Sequence, residues 1–177
     1  MGTLRVDNIQ SAAGVRGLIG ITDGANAATG VVGEVLASTL AASTLITNNP
    51  VSGTWYAASA WALSIPAGDW DLHLNANISG TGAAGGQGWV ASISLTPTTS
   101  ASVIYGGAAY GGAQFTGTTG EFFTGAHLYA RWNTSVGSTL YPAARYELFG
   151  SSVALSALSW WAETTTNYNL LSARRMR

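Results

Sequence analysis

The chain has 177 residues, 47% hydrophobic and 10% aromatic, which excludes a polymer disordered by composition and leaves room for one domain with a substantial core. Charged residues make up 8%, against about 25% in ordinary soluble domains, and lysine is absent, so all seven cations are arginines. A net charge of −1 argues against a nucleic-acid partner, the lack of cysteine excludes disulfides and thiolate chemistry, and no apolar run reaches the ~18 residues that suggest a membrane span.

Residues 3–9 read as a short extended piece, with Leu4, Val6 and Ile9 as candidate attachment residues. The start lacks the basic-then-apolar layout of a secretion signal, and Val6 stands where myristoylation needs Ser or Thr. Residues 10–33 are rich in Gly, Ala, Asn and Thr and carry the turn dipeptide Asp23-Gly24. Such a segment cannot build a core, so residues 1–33 are expected to form an extended arm, ordered against a partner, ahead of a β domain over 34–177.

Residues 35–47 are apolar and Thr-rich and predict a strand ended by Asn48-Asn49-Pro50. Trp61, Leu63 and Ile65 alternate. Pro66, Ala67 and Gly68 supply turn chemistry, and then the clearest signal in the chain begins. Trp70, Leu72, Leu74, Ala76 and Ile78 fall on one side of a strand, with Asp71, His73, Asn75 and Asn77 on the other. This predicts a central, half-buried antiparallel strand. Gly80 to Gly88 reads as a nine-residue glycine-rich loop, followed by alternation from Trp89 to Leu95. A short strand is expected at Val103–Tyr105, then a long Gly/Ala/Thr loop over 106–120 with a short strand around Gln114. From Ala126 the pattern puts Leu128, Ala130 and Trp132 inward and His127, Tyr129 and Arg131 outward. Ala144, Tyr146 and Leu148 form another strand. The phase change near Ala157 predicts a β-bulge, and a last strand covers Tyr168–Ala173. Eight or nine short strands with turn signals and almost no helical periodicity predict an all-β fold, an antiparallel β-sandwich of jelly-roll type.

Neighbours in a strand point to opposite faces, so Trp55-Tyr56 and Trp160-Trp161 pose a question. A bulge or strand end would put both members of a pair inside. Otherwise one member joins an apolar patch against another subunit, or a platform for a sugar ring; the low charge weights the subunit interface. These four are the candidate interface or glycan-contact residues. Gly80–Gly85 matches G-x-G-x-x-G, but a strand rather than a helix follows, so a hairpin is the better reading than a dinucleotide site. Asp71 and His73, with Asp69 near, could offer two metal ligands, but a third and fourth are missing locally. His127 is the other histidine, and no G-x-S-x-G elbow accompanies the many serines. No catalytic, metal or cofactor residue is expected. Arg174, Arg175 and Arg177 fit either a solvated tail or pairing with acids of a neighbouring subunit.

Four pieces in this order carry a resemblance: LRVDNIQ at Leu4–Gln10, GVVGEVL at Gly30–Leu36, IPAGDWDL at Ile65–Leu72 and LLSARRMR at Leu170–Arg177. Together they resemble bacteriophage virion proteins of the tail-fibre type, without a collagen-like or coiled-coil shaft. The resemblance implies a non-enzymatic structural protein in the virion, with an N-terminal attachment arm and a β domain that is usually trimeric. Its partners would be itself and other virion proteins, with a host-surface glycan as a further contact. A capsid decoration protein or head fibre is the first alternative. A lectin-like carbohydrate-binding module is the second.

Overall fold

A computed structural model of the chain describes residues 10–11, 14–15, 29–57, 59–82, 85–95, 103–115, 120–149, 155–162 and 169–176. They contain thirteen strands and no helix: β1 Gln10–Ser11, β2 Gly14–Val15, β3 Val35–Thr39, β4 Thr44–Asn48, β5 Trp55–Ala57, β6 Leu63–Ile65, β7 Gly68–Gly82, β8 Gly85–Ser94, β9 Val103–Phe115, β10 Gly120–Thr134, β11 Ser138–Phe149, β12 Leu155–Trp160 and β13 Leu170–Arg175. All pairings are antiparallel. The fold is the expected antiparallel β-sandwich, built from a six-stranded and a five-stranded sheet.

Each sheet is organised around one long strand with the same arrangement of neighbours. In the larger sheet β10 runs beside β7 along its whole length, from Thr134↔Gly68 to Gly120↔Gly82. The other edge of β7 is divided: β13 pairs with residues 70–75 and β12 with residues 78–82. β3 then extends the sheet from β13, and β4 from β12. In the smaller sheet β8 pairs with β11 from Tyr141 to Phe149, while β6 and β5 share the opposite edge of β11.

The inward side of β7 is as its alternation predicts. Trp70, Leu72, Leu74, Ala76 and Ile78 are buried, facing a core that includes Ile65, Ile93, Leu128, Leu140, Leu158 and Leu171. Burial stabilises by about 1.5–3 kcal/mol for each large side chain, before the entropy of ordering is subtracted. Trp61 and Trp160 meet edge to face at 5.5 Å within this core, and the Trp61 indole donates to the Ser38 carbonyl at 3.2 Å. The bulge expected near Ala157 is present: the β12 register shifts between Leu155 and Ala157, and against β4 between Leu158 and Ser159. Those shifts let Leu155, Leu158 and Trp160 all reach the core.

Three expectations need correction. The glycine-rich stretch 80–88 is no nine-residue loop, because β7 continues to Gly82 and β8 starts at Gly85. Likewise 103–115 is one 13-residue strand, paired to β8 through residues 103–104 and 109–115, where a short strand and a long loop were expected. Glycine weakens strand propensity, but ladder hydrogen bonds to a neighbour override it here. The stretch 35–47 is two strands, β3 and β4, separated at residues 40–43 and belonging to opposite ends of the larger sheet.

Arg175 is neither a solvated tail nor a group offered to a neighbouring subunit. It is buried, its Nε donates to Glu34 Oε2 at 2.8 Å, and its guanidinium lies 4.2 Å from the Trp70 ring centroid. Its Nη1 donates to the Ala67 carbonyl at 3.0 Å. Glu34 Oε2 also accepts from the Gly30 amide at 2.8 Å, and backbone bonds run both ways between the segments, Gly33 N to Arg175 O and Arg175 N to Glu34 O. Gly68, at φ +153°, makes room for this cluster, since a Cβ there would collide with Arg175 Nη1. The side chains of Arg175 and Glu34 are 8% and 4% exposed, so neither ion has water to fall back on.

Removing one partner of a buried pair leaves a charge unpaired, so Glu34→Ala should lose about 3–5 kcal/mol of unfolding free energy by urea titration. Gly68→Ala should lose at least about 1–3 kcal/mol from the backbone alone. In the core, Trp160→Ala should cost about 3–5 kcal/mol. Trp161→Ser, just beyond the strand, should cost nearer 1 kcal/mol, on the order of an average substitution.

Candidate functional site

Among the described residues, the sequence-predicted ones do not converge. Leu4, Val6 and Ile9 lie outside the described residues, as does most of the arm; of residues 1–28 the structure describes the two-residue strands β1 and β2, which pair with each other. Trp55 and Tyr56 split to opposite faces of the smaller sheet, as strand neighbours must. Trp55 is buried on the outer face beside Ala143, with the Arg145 guanidinium 5.1 Å from its ring centroid. Tyr56 turns toward the main core, and its hydroxyl accepts from the Val51 amide at 2.8 Å. Trp160 is wholly inside the core, so the chain itself covers it and it is no contact residue for a subunit or a glycan. Trp161 follows the end of β12 and is half-buried; its amide donates to the Asn77 carbonyl and its carbonyl accepts from Asn169 Nδ2 at 2.7 Å. Two of the four candidates, Trp55 and Trp160, are therefore taken up by the chain's own packing.

The outward side of the β7/β10 pair is different. Register places His127 opposite Asn75, Tyr129 opposite His73, Arg131 opposite Asp71 and Asn133 opposite Asp69. Residues directly opposite share a face, so these eight form one polar and aromatic ladder. β13 extends it, with Ser172 opposite His73 and Arg174 opposite Asp71.

Within the ladder the Tyr129 and His73 rings stack at 4.4 Å, tilted by 9°. Tyr129 is 72% exposed. His73 Nε2 is buried with no hydrogen-bond partner. Burial first, and the nearby His127 second, hold the His73 pKa below its usual 6.5. Next to this stack, Arg131 bridges two carboxylates: Nε and Nη2 donate to Asp69 at 2.6 and 2.8 Å, and Nη1 donates to Asp71 at 2.9 Å. The hydrogen bond to Asp69, with that to Asp71 adding, raises the affinity of the guanidinium for its proton. A shallow depression of about 320 Å³ opens here, lined by Asp71, Leu72, Tyr129, Ala130 and Arg131.

Asp71 and His73 are thus committed to different neighbours, an arginine and a tyrosine. Among the described residues no three of His, Cys, Asp and Glu come together as metal ligands. The G-x-G-x-x-G match leads from one strand into the next, and no helix opens behind it. Alternation in residues 126–132 already marks His127, Tyr129 and Arg131 as outward. What it lacks is the cross-strand register that puts Tyr129 against His73.

No family model matches the chain, and no curated protein does. Among solved structures it is similar to dimeric latent PorU from Porphyromonas gingivalis, at 13% identity and a TM-score of 0.28. That match covers 80% of this chain and 13% of the PorU chain, so this chain spans a small part of PorU's length.

A histidine held below its free pKa favours the fold when neutral. Its contribution is complete above the unfolded value of about 6.5 and is lost as pH falls toward the lowered folded value. Stability of the native chain relative to His73→Gln should therefore decline below pH ~6.5 and stay level above it, measured by urea titration across pH 5–8.

Proposed function

We propose that the chain is a structural, non-enzymatic component of a bacteriophage particle, a short tail fibre or tail appendage. Residues 1–33 mount it, and the β-sandwich self-associates, as a trimer. The observation that carries this reading is how residues 30–34, which end the proposed arm, are held to the sandwich. Residues 30–34 are clamped to β13 by the Glu34–Arg175 ion pair and by backbone bonds in both directions. Arg175 in turn lies against Trp70 of the central strand. A pull on the arm is thus delivered to the core of the larger sheet, as an attachment point requires.

Solvation supports the self-association. With 8% charged residues the chain has few ionic groups to keep a solitary molecule dispersed. Val32, Leu45, Val51 and Val136 each stand at least half exposed. Singly, such residues are ordinary; on so weakly charged a surface they favour burial against a second copy. Leu45 lies on β4, an edge of the larger sheet, where unpaired backbone groups can add a strand.

Light scattering of the purified chain should give a mass near three chains rather than the 18.1 kDa of one. Deleting residues 1–29 should leave the β-sandwich folded by circular dichroism and abolish incorporation into particles. A lone chain at micromolar concentration, or undiminished incorporation without the arm, would overturn the reading. Imaging of labelled particles places the chain on tail or head.

A further inference from the structure

The ladder on the outer side of β7 and β10 has no role in the attachment reading, and its chemistry is that of a binding site. We infer that the Tyr129 depression binds a neutral pyranose sugar, with the Tyr129 ring as stacking platform and Asp71 and Arg131 as hydrogen-bonding partners.

Four features carry this. First, Tyr129 is 72% exposed, although ring burial normally stabilises a fold. One of its faces is held by His73 at 4.4 Å, so the ring stands fixed rather than swinging between rotamers. An aromatic face is electron-rich, and the axial C–H groups of a pyranose present the matching positive edge.

Second, a donor and an acceptor lie side by side next to the ring. Arg131 uses three N–H groups on Asp69 and Asp71, out of the five a guanidinium carries. Its side chain is 45% exposed and that of Asp71 is 50% exposed, so the remaining N–H groups and the carboxylate are within reach of solvent. Vicinal sugar hydroxyls, which donate and accept at once, fit such a pair.

Third, charge narrows the class. Asp69, Asp71, Arg131 and Arg174, which the register sets opposite Asp71, sum to zero, so the site offers no net charge to draw sialic acids, uronic acids or phosphates. A quaternary ammonium needs a cage of rings around it, and among the described residues Tyr129 is the one ring that lines this depression. Fourth, 320 Å³ sits at the small end of the ~300–1,000 Å³ span of ligand pockets, room for about one sugar ring.

Both partners are pre-set. Arg131 is pinned by three hydrogen bonds and Tyr129 by a stack, so little ordering entropy remains to oppose binding. The site differs from the Trp55, Tyr56, Trp160 and Trp161 candidates, and it does not depend on how the chain is mounted.

The test is a glycan array carrying neutral hexose oligosaccharides, sialylated glycans and uronic-acid glycans, probed with the full chain, with choline titrated separately by calorimetry. Retention on one or more neutral glycans is expected. Tyr129→Ala and Asp71→Asn should each weaken it by about tenfold or more, while Tyr129→Phe, which keeps the ring, should stay within about threefold. Tyr129 is exposed, so its alanine variant should melt close to the parent; if it does not, Asp71→Asn alone decides. An array blank for neutral glycans, a preference for acidic glycans or choline, or retention untouched by the deciding variants would overturn the inference. The same array run on the chain lacking residues 1–29 should give an unchanged pattern, which keeps this result separate from that on attachment.

Discussion

Register in β7 is the constraint on which the rest of the molecule depends. One edge of this strand is committed to β10 over fifteen residues, and the other is divided between β13 and β12. A slip of one residue would turn Trp70, Leu72, Leu74, Ala76 and Ile78 out to solvent and bring Asp71, His73, Asn75 and Asn77 into the core. Four large apolar side chains would lose about 1.5–3 kcal/mol each, and a carboxylate would be buried without its arginine. Every strand that pairs with β7 inherits its alignment.

The Glu34–Arg175 pair does a related job at one end of the sheet. In isolation a buried ion pair is weak evidence for stability, because desolvation offsets the attraction. Here the pair has further partners: the Gly30 amide on the carboxylate, the Ala67 carbonyl on the guanidinium, and the Trp70 ring beneath it. These contacts draw residues 30–34, 66–70 and 175–176 into one cluster. Apolar side chains could fill the space, but they could not specify this alignment of three segments.

How legible this was in the sequence depended on the range of the interaction. The core face of β7, the outward set His127, Tyr129 and Arg131, and the bulge near Ala157 could all be read, because each is a period or a break of period within a few residues. The glycine-rich strands were not, since β9 is held as a strand by β8 and local propensity argues otherwise. Nor was the Glu34–Arg175 pair, whose members are 141 positions apart and whose only local sign is an acid beside glycines. The tryptophan pairs were legible as a problem but not as a solution. Strand alternation required Trp55 and Tyr56 to part. It could not say that Arg145 would cover the outward ring, or that β12 would end at Trp160 and release Trp161 from the rule.

The ladder of Tyr129, His73, Arg131 and Asp71 follows from the same pairing as the core beneath it. In an antiparallel pair the two faces are set together: once Leu128 lies opposite Leu74 and Ala130 opposite Leu72 on the inside, Tyr129 must meet His73 and Arg131 must meet Asp71 on the outside. A binding surface made this way needs no loop to close and no side chain to be ordered on contact. Its geometry is as firm as the strand register, which the buried face enforces. Asp69 shows how the two sides connect. It is itself buried and takes two hydrogen bonds from Arg131, so it anchors an exposed guanidinium to the edge of the core. The apolar periodicity that folds the chain is therefore also what holds its polar outer face in a shape that another molecule can recognise.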